Sequence, residues 1–257
     1  FHMQDAFDLA RVPYVILLGI VCGMVSLYFT HVTTAIEKQF KKIANPYYKL
    51  AIGGSILSVL IFLFPPLYGE GYETINQLIN GDSQNIILEN SLFYGHARFL
   101  LLYMFFIVLF KAFASTVTNC AGGCGGIFAP SLFLGCVAGY LFATLCNMTG
   151  WGVSVSDKNF ALFGMAALMS GVFHAPLTGV FLIAELTGGY SLFLPLMIVS
   201  VCSYLTVRIF DSNNIYAIRL AQRGELITHH KDQAVLTILK VADVIERDFM
   251  KISPDMA

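Results

Sequence analysis

The sequence predicts an all-α membrane protein, and three observations carry that prediction. Of its 257 residues, 57% are hydrophobic and only 12% are charged, about half the roughly 25% charged content of soluble domains. Its longest apolar runs reach the roughly 20 residues a helix needs to cross a hydrocarbon layer. Several other runs are short and broken by glycine or proline, which at membrane depth is tolerated only where backbone is buried in protein or lines an aqueous cavity. A net charge of −1 provides no global field that would recruit nucleic acid, so any attraction of ions has to be local. The lipid bilayer is the first partner the composition implies.

From Val12 to about Ile36 runs an apolar stretch of spanning length, with Pro13 at its start and Gly19 and Gly23 four apart on one face, as in closely packed membrane helices. The connector EKQFKKIANPYYK follows, carrying Lys38, Lys41, Lys42 and Lys49, and then Leu50 to Phe64 forms a second run closed by Pro65 and Pro66. The next connector, about Leu67 to Ala97, contains Glu70, Glu73, Asp82 and Glu89 but neither lysine nor arginine. By the positive-inside rule the lysine-rich connector is cytoplasmic and the N-terminus of the chain lies outside. An outside N-terminus that begins at Phe1, without the basic region of a signal peptide, leads to the expectation of a fragment whose earlier spans are missing. Arg98 to Thr118 is a third span, with Lys111 inside it. An intramembrane lysine is either functional or reaches out along its apolar stem, and the proximity of Thr118 and Asn119 favours a lysine that reaches an interface.

Next comes AGGCGGIFAP, Ala121 to Pro130, between two long apolar stretches where a soluble protein would place a surface turn. Four glycines (Gly122, Gly123, Gly125, Gly126) open conformations closed to other residues, and Ile127, Phe128 and Ala129 lead to Pro130 and a new apolar run. Proline suits a first helical turn because its missing N–H would have no partner there. A helix starting at membrane depth presents unpaired N–H groups and a partial positive charge, for which the natural partner is an anion. The same glycines also suit close packing of helices, and the residues alone leave both readings open.

Ser131 to about Cys146 continues that helix. After the interruption NMTGWGVSVSDKN come Phe160 to Val172, His174-Ala175-Pro176, Leu177 to Leu186, Thr187-Gly188-Gly189-Tyr190, and Leu192 to Phe210. Two of these runs hold only 10 to 13 residues, too few to span, and transporters use such short helices to build midplane ion sites. Ser212 or Asn213 is a candidate cap for a short helix over AIRLAQRGE, and Arg219, Arg223 and Lys231 place this end in the cytoplasm. From Leu239 the composition turns soluble and reads as an amphipathic helix, a strand and a turn.

The six cysteines (Cys22, Cys120, Cys124, Cys136, Cys146, Cys202) lack metal-site pairing, and the spacing of Cys120 and Cys124 brings no His or carboxylate beside them, so no metal site is expected. Glu185, at the end of a short apolar helix, reads as bonding backbone or a hydroxyl such as that of Thr187, with proton transfer as the alternative. His174 reads as a loop or cap residue, again with proton transfer as the alternative. Ser170 and His174 lack the nucleophile motif and oxyanion hole of a hydrolase, and no enzymatic activity is expected.

Together these stretches resemble the C-terminal half of the CLC family of chloride channels and chloride/proton antiporters. The resemblance rests on GGIFAP at Gly125 to Pro130, GMAALMSGVFHAPLTGVFLIAELTGGY at Gly164 to Tyr190, LPLMIVS at Leu194 to Ser200 and IYAIRLAQ at Ile215 to Gln222. It implies that residues 1–225 form the second of the family's two inverted repeats, with tilted, broken and re-entrant helices. Residues 226–257 look like a cytoplasmic linker and the beginning of a CBS domain. It implies a chloride site at Gly126, Ile127, Phe128 and Ala129, with the N–H groups of Ile127 and Phe128 as donors, Gly125 and Pro130 framing the helix start, and the Tyr216 hydroxyl adding a further hydrogen bond. Amides and a phenol suit this role because they bind an anion without a full charge that would hold it too long; without the resemblance, Tyr216 reads as an interfacial aromatic.

The resemblance further implies a homodimer in which each subunit has its own pore, with Leu177, Ile183, Leu194 and Ile198 in the interface, and residence in a bacterial inner membrane. No cofactor is implied apart from the transported chloride, with a nucleotide conceivable at a complete CBS tail. The family's first repeat supplies a serine-bearing helix start and the glutamates that gate the path and move protons; none of these motifs occurs here, so the N-terminal half of the same protein is an expected partner. Two functions follow: chloride transport by a channel or antiporter, or a non-transporting half-protein that serves as a dimerisation or regulatory module.

Overall fold

A computed structural model describes residues 7–81, 97–149 and 154–223, and among these every regular element is helical. The chain divides into two units, Phe1–Ile215 and Tyr216–Ala257. The soluble tail expected over 226–257, and the start of a CBS domain within it, lie outside the described residues. Among the described residues, five stretches are long and apolar enough to cross a bilayer: Leu9–Lys41, Pro46–Leu63, Phe99–Cys120, Phe128–Thr149 and Phe193–Gln222.

Asp8 caps a short 3-10 turn at Leu9–Arg11 by accepting a hydrogen bond from Ala10 N (3.1 Å), and α1 (Val12–Lys41) follows with Pro13 in its first turn. Lys38 and Lys41, expected in a connector, instead occupy the last turn of α1, where cations complement the negative end of the helix dipole. Helix α2 (Pro46–Leu63) begins four residues before the expected Leu50 because the Asn45 side chain accepts from Tyr47 N (2.9 Å) and Pro46 takes the first helical position. The lysine-rich connector therefore shrinks to residues 42–45.

The acidic connector is also not all loop. After a 3-10 turn at Pro65–Leu67, α3 (Tyr72–Asn80) runs between Gly71 and Gly81, both in the left-handed region, and buries Thr74, Ile75, Leu78 and Ile79. Those four positions recur at one helical face, and the polar residues between them mask the pattern in a reading by overall hydropathy.

Helix α4 (Ala97–Cys120) leads to α5 (Phe128–Thr149), and α6 (Asp157–Phe173) begins three residues before Phe160 because Ser156 caps it, accepting from Asn159 N (3.4 Å). With 17 residues α6 exceeds the 10 to 13 expected, whereas α7 (Pro176–Leu186) keeps its 11. His174 caps the end of α6 in the left-handed region (φ 55°) and its ring meets Tyr204 edge-on at 5.6 Å, as a cap residue should. Helix α8 (Phe193–Phe210) is followed by α9 (Ile215–Arg223). The residue before α9 is Asn214, whose Nδ2 donates to the Phe173 carbonyl (3.2 Å) and ties this turn to the end of α6.

Small residues let α5 meet α6, and α8 meet α1, at backbone distance. A Cβ at Gly135 or Gly164 would overlap the carbonyl oxygen of the other, and one at Gly139 would overlap that of Phe160, so α5 and α6 cross in direct backbone contact. Gly19 faces Cys202 and Gly23 faces Thr206 where α1 meets α8, in keeping with their spacing on one face. Ser203 Oγ donates to Ala167 O (2.7 Å), a side-chain hydrogen bond that joins α8 to α6 across their seam. A buried cluster of Phe29, Ala112, Ile127, Leu134, Leu168, Val172 and Ile215 holds the start of α5 against α1, α4 and α6.

Candidate functional site

The glycine-rich run performs two distinct tasks. Gly122 adopts φ +106°, and Gly123 N reaches back to Thr118 O (2.9 Å), the six-to-one bond of a Schellman ending that closes α4. Gly125, Gly126 and Ile127 then turn the chain into α5. Among the described residues, a Cβ on Gly122 would meet nothing within 4 Å, the nearest atoms to those on Gly123 and Gly125 belong to Thr118 and Asn119 of the preceding helix, and the one near Gly126 is Phe128 N. Helix–helix contact through glycine occurs instead at Gly135, Gly139 and Gly164.

Ile127 O accepts the first bond of α5, from Ser131 N (3.2 Å). The N–H groups of Phe128 and Ala129 thus precede any helical acceptor, and Pro130 has none to leave unpaired. Ser131 does not cap them, because its hydroxyl donates to Phe128 O (2.6 Å) and lies 3.5 Å from Met169 Sδ. Gly125, Gly126, Phe128, Ala129 and Pro130 line a cavity of about 600 Å³, while Ile127 turns its side chain into the buried cluster and so fixes the backbone beside that cavity. Phe128 is partly exposed, its ring 6.1 Å from that of Phe173. Tyr216 is the first residue of the second unit and lies on α9.

The same cavity is also lined by residues that the sequence reading does not assign to a site: Tyr68, Gly69 and Glu70 from the segment after Pro65–Leu67, and Lys111, Ser115, Thr118 and Asn119 from α4. Lys111 overturns the expectation of a lysine that reaches an interface. It is 1% exposed, its Nζ donates to Gly69 O (2.9 Å) and Leu67 O (3.3 Å), and the ammonium sits 4.4 Å from the centre of the Phe133 ring. The sequence signal was available, since positions 111, 115, 118 and 119 follow the i, i+4, i+7, i+8 spacing of one helical face.

The remaining candidates have local partners. Glu185 Oε1 accepts from the Tyr190 hydroxyl (2.8 Å), while Thr187 Oγ1 bonds the backbone oxygens of Ile183 and Ala184 instead. Ser170 is buried and donates to Ala166 O (2.7 Å), with no pairing to His174. Of the residues expected at a subunit interface, Leu177 and Leu194 are exposed and Ile198 is partly buried. Ile183 is fully buried within this chain on the inward face of α7, which it shares with Val180 and Ala184, whereas Leu177 and Phe181 lie on the exposed face.

Residues 1–208 match the family model described as voltage gated chloride channel. The chain is 30% identical over 218 residues to an H(+)/Cl(−) exchange transporter, ClcA, from Vibrio cholerae, covering 83% of this chain and 43% of that protein. It is 28% identical over 204 residues to a voltage-gated ClC-type chloride channel, ClcB, from Escherichia coli, covering 79% and 45% respectively. The fold superposes on the X-ray crystal structure of a slow cyanobacterial Cl−/H+ antiporter with a TM-score of 0.71 at 21% identity, over 87% of this chain and 49% of that one. The chain thus spans about half the length of the relatives it matches.

Proposed function

Because the chain belongs to the voltage gated chloride channel family, we propose that it forms the C-terminal repeat of a chloride pathway, working as a channel or as a chloride/proton antiporter. One observation carries this reading: α5 begins at a cavity wall with first-turn amides that no helical carbonyl or capping hydroxyl satisfies. Such a helix start attracts an anion through aligned N–H groups and the dipole without a fixed cation in direct contact. Ile127 and Phe128 would donate their backbone N–H groups to chloride, with Gly126 and Ala129 allowing the close approach and Gly125 and Pro130 setting the turn. The Tyr216 hydroxyl would add a neutral hydrogen bond. Weak, multi-donor coordination of this kind permits release as well as binding.

The same reading has the first repeat of the family completing the pathway, a homodimer using the exposed face of Leu177 and Leu194 together with Ile198, a bacterial inner membrane and a cytoplasmic C-terminus. It calls for no cofactor beyond the transported anion, and places any nucleotide at a CBS-type tail. Support comes from the names of the bacterial relatives and from the apolar exposed surface of α7 and α8. The test is chloride efflux from liposomes containing the protein expressed from its complete reading frame. Efflux above that of protein-free vesicles is expected; an absence of efflux from correctly assembled protein refutes transport in favour of a dimerisation or regulatory role.

A further inference from the structure

We propose that Lys111 is the residue whose charge sets the anion affinity of the pathway, acting across the cavity on the anion at the start of α5. This inference rests on the transport reading above and adds a residue that the helix-start motif does not contain. A lysine with 1% exposure in the middle of a membrane helix is costly, and it persists where its charge serves a site. Every group around its Nζ accepts or tolerates positive charge: Gly69 O, Leu67 O and the face of the Phe133 ring. No carboxylate lies within ion-pair distance of it among the described residues. The carbonyl dipoles and the ring offset only part of the charge, and the exposed Glu70 carboxylate opposes it from the same cavity, so a reduced positive field extends into the cavity that Lys111 lines together with Phe128 and Ala129.

Geometry sets the scale of the effect. Phe133 lies five residues into α5, about 7.5 Å along the axis from Phe128, and its side chain leans back towards the helix start. The ammonium, 4.4 Å from that ring, is therefore on the order of 10 Å from the first-turn amides. At that distance, and at the effective dielectric of a partly buried site, one unit charge changes anion affinity on the order of tenfold. It does so without touching the anion, which preserves fast release. Glu70 lines the same cavity but is exposed, so its opposing effect is screened and smaller, about twofold.

The experiment measures initial chloride flux against chloride concentration in liposomes for the wild type, Lys111→Met, Lys111→Arg and Glu70→Gln, with assembly checked by size-exclusion chromatography. The expected result is a half-saturating chloride concentration raised on the order of tenfold in Lys111→Met, near the wild-type value in Lys111→Arg, and lowered about twofold in Glu70→Gln. A purely structural lysine predicts less assembled protein with an unchanged half-saturating concentration, and that outcome overturns the proposal. Should Lys111→Met fail to assemble, Glu70→Gln decides: a lowered half-saturating concentration supports the field and an unchanged one overturns it. A wild-type protein without flux overturns the transport reading and this inference with it, whereas wild-type flux with unresponsive variants overturns this inference alone.

Discussion

Gly164→Ala should loosen the frame that holds the helix start in place. A methyl at Gly164 would overlap the Gly135 carbonyl oxygen and come within 2.9 Å of Gly139 Cα and 3.0 Å of Gly139 N, all of them backbone atoms that cannot rotate away. The two helices must then separate by on the order of 1 Å, and a gap of that size forfeits a quarter to a half of each dispersion contact along the seam. The expected loss is about 1–3 kcal/mol, the usual cost of an overpacked core. Gly54→Ala is the matched control: nothing lies within 4 Å of the added methyl, and helix propensity favours alanine by about 0.5–1 kcal/mol. Denaturant titration in mild detergent should show a lower midpoint for Gly164→Ala and an unchanged or higher one for Gly54→Ala. Equal midpoints for the two variants would refute the claim that direct α5–α6 backbone contact supports the site.

Cys124 is exposed and lines the cavity, whereas Cys22 and Cys136 are fully buried. A sulfonate-bearing thiol reagent should therefore inhibit anion flux more than its ammonium-bearing counterpart, and Cys124→Ser should remove that difference; persistence of the difference in Cys124→Ser would count against the cavity as the anion route. Tyr216→Phe should weaken chloride binding by about 0.5–1.5 kcal/mol, the net value of one hydrogen bond, measured by calorimetry on the intact protein. Unchanged affinity would remove Tyr216 from the site.

Much of this architecture is legible in the sequence because membrane helices announce themselves by hydropathy, and because glycine and proline mark where they break. Gly19 and Gly23 point to a packing face, and Gly125 to Pro130 to a helix start. What escaped the reading depends on short-range chemistry or on tertiary partners. Asn45 and Ser156 each extend a helix beyond its apolar run through a single capping bond. Helix α3 hides because its buried stripe, Thr74 to Ile79, is diluted by Glu73, Asn76 and Gln77. Lys111 is ambiguous in the sequence because snorkelling towards an interface and burial against Phe133 begin from the same residue in the same helix, and only the segment folded over it, with the carbonyls of Leu67 and Gly69, distinguishes them. Ile183 is buried on α7 beside Val180 and Ala184, and only the phase of the helix, not the motif that locates it, decides which of its side chains face outward.

The most direct test of the central claim is anomalous diffraction from crystals of the protein grown in bromide, an anion that scatters where chloride would bind. The account predicts a bromide peak at hydrogen-bonding distance from the backbone nitrogens of Ile127 and Phe128, at the wall of the cavity. A well-ordered α5 start without such a peak, or bromide bound only elsewhere, would contradict it.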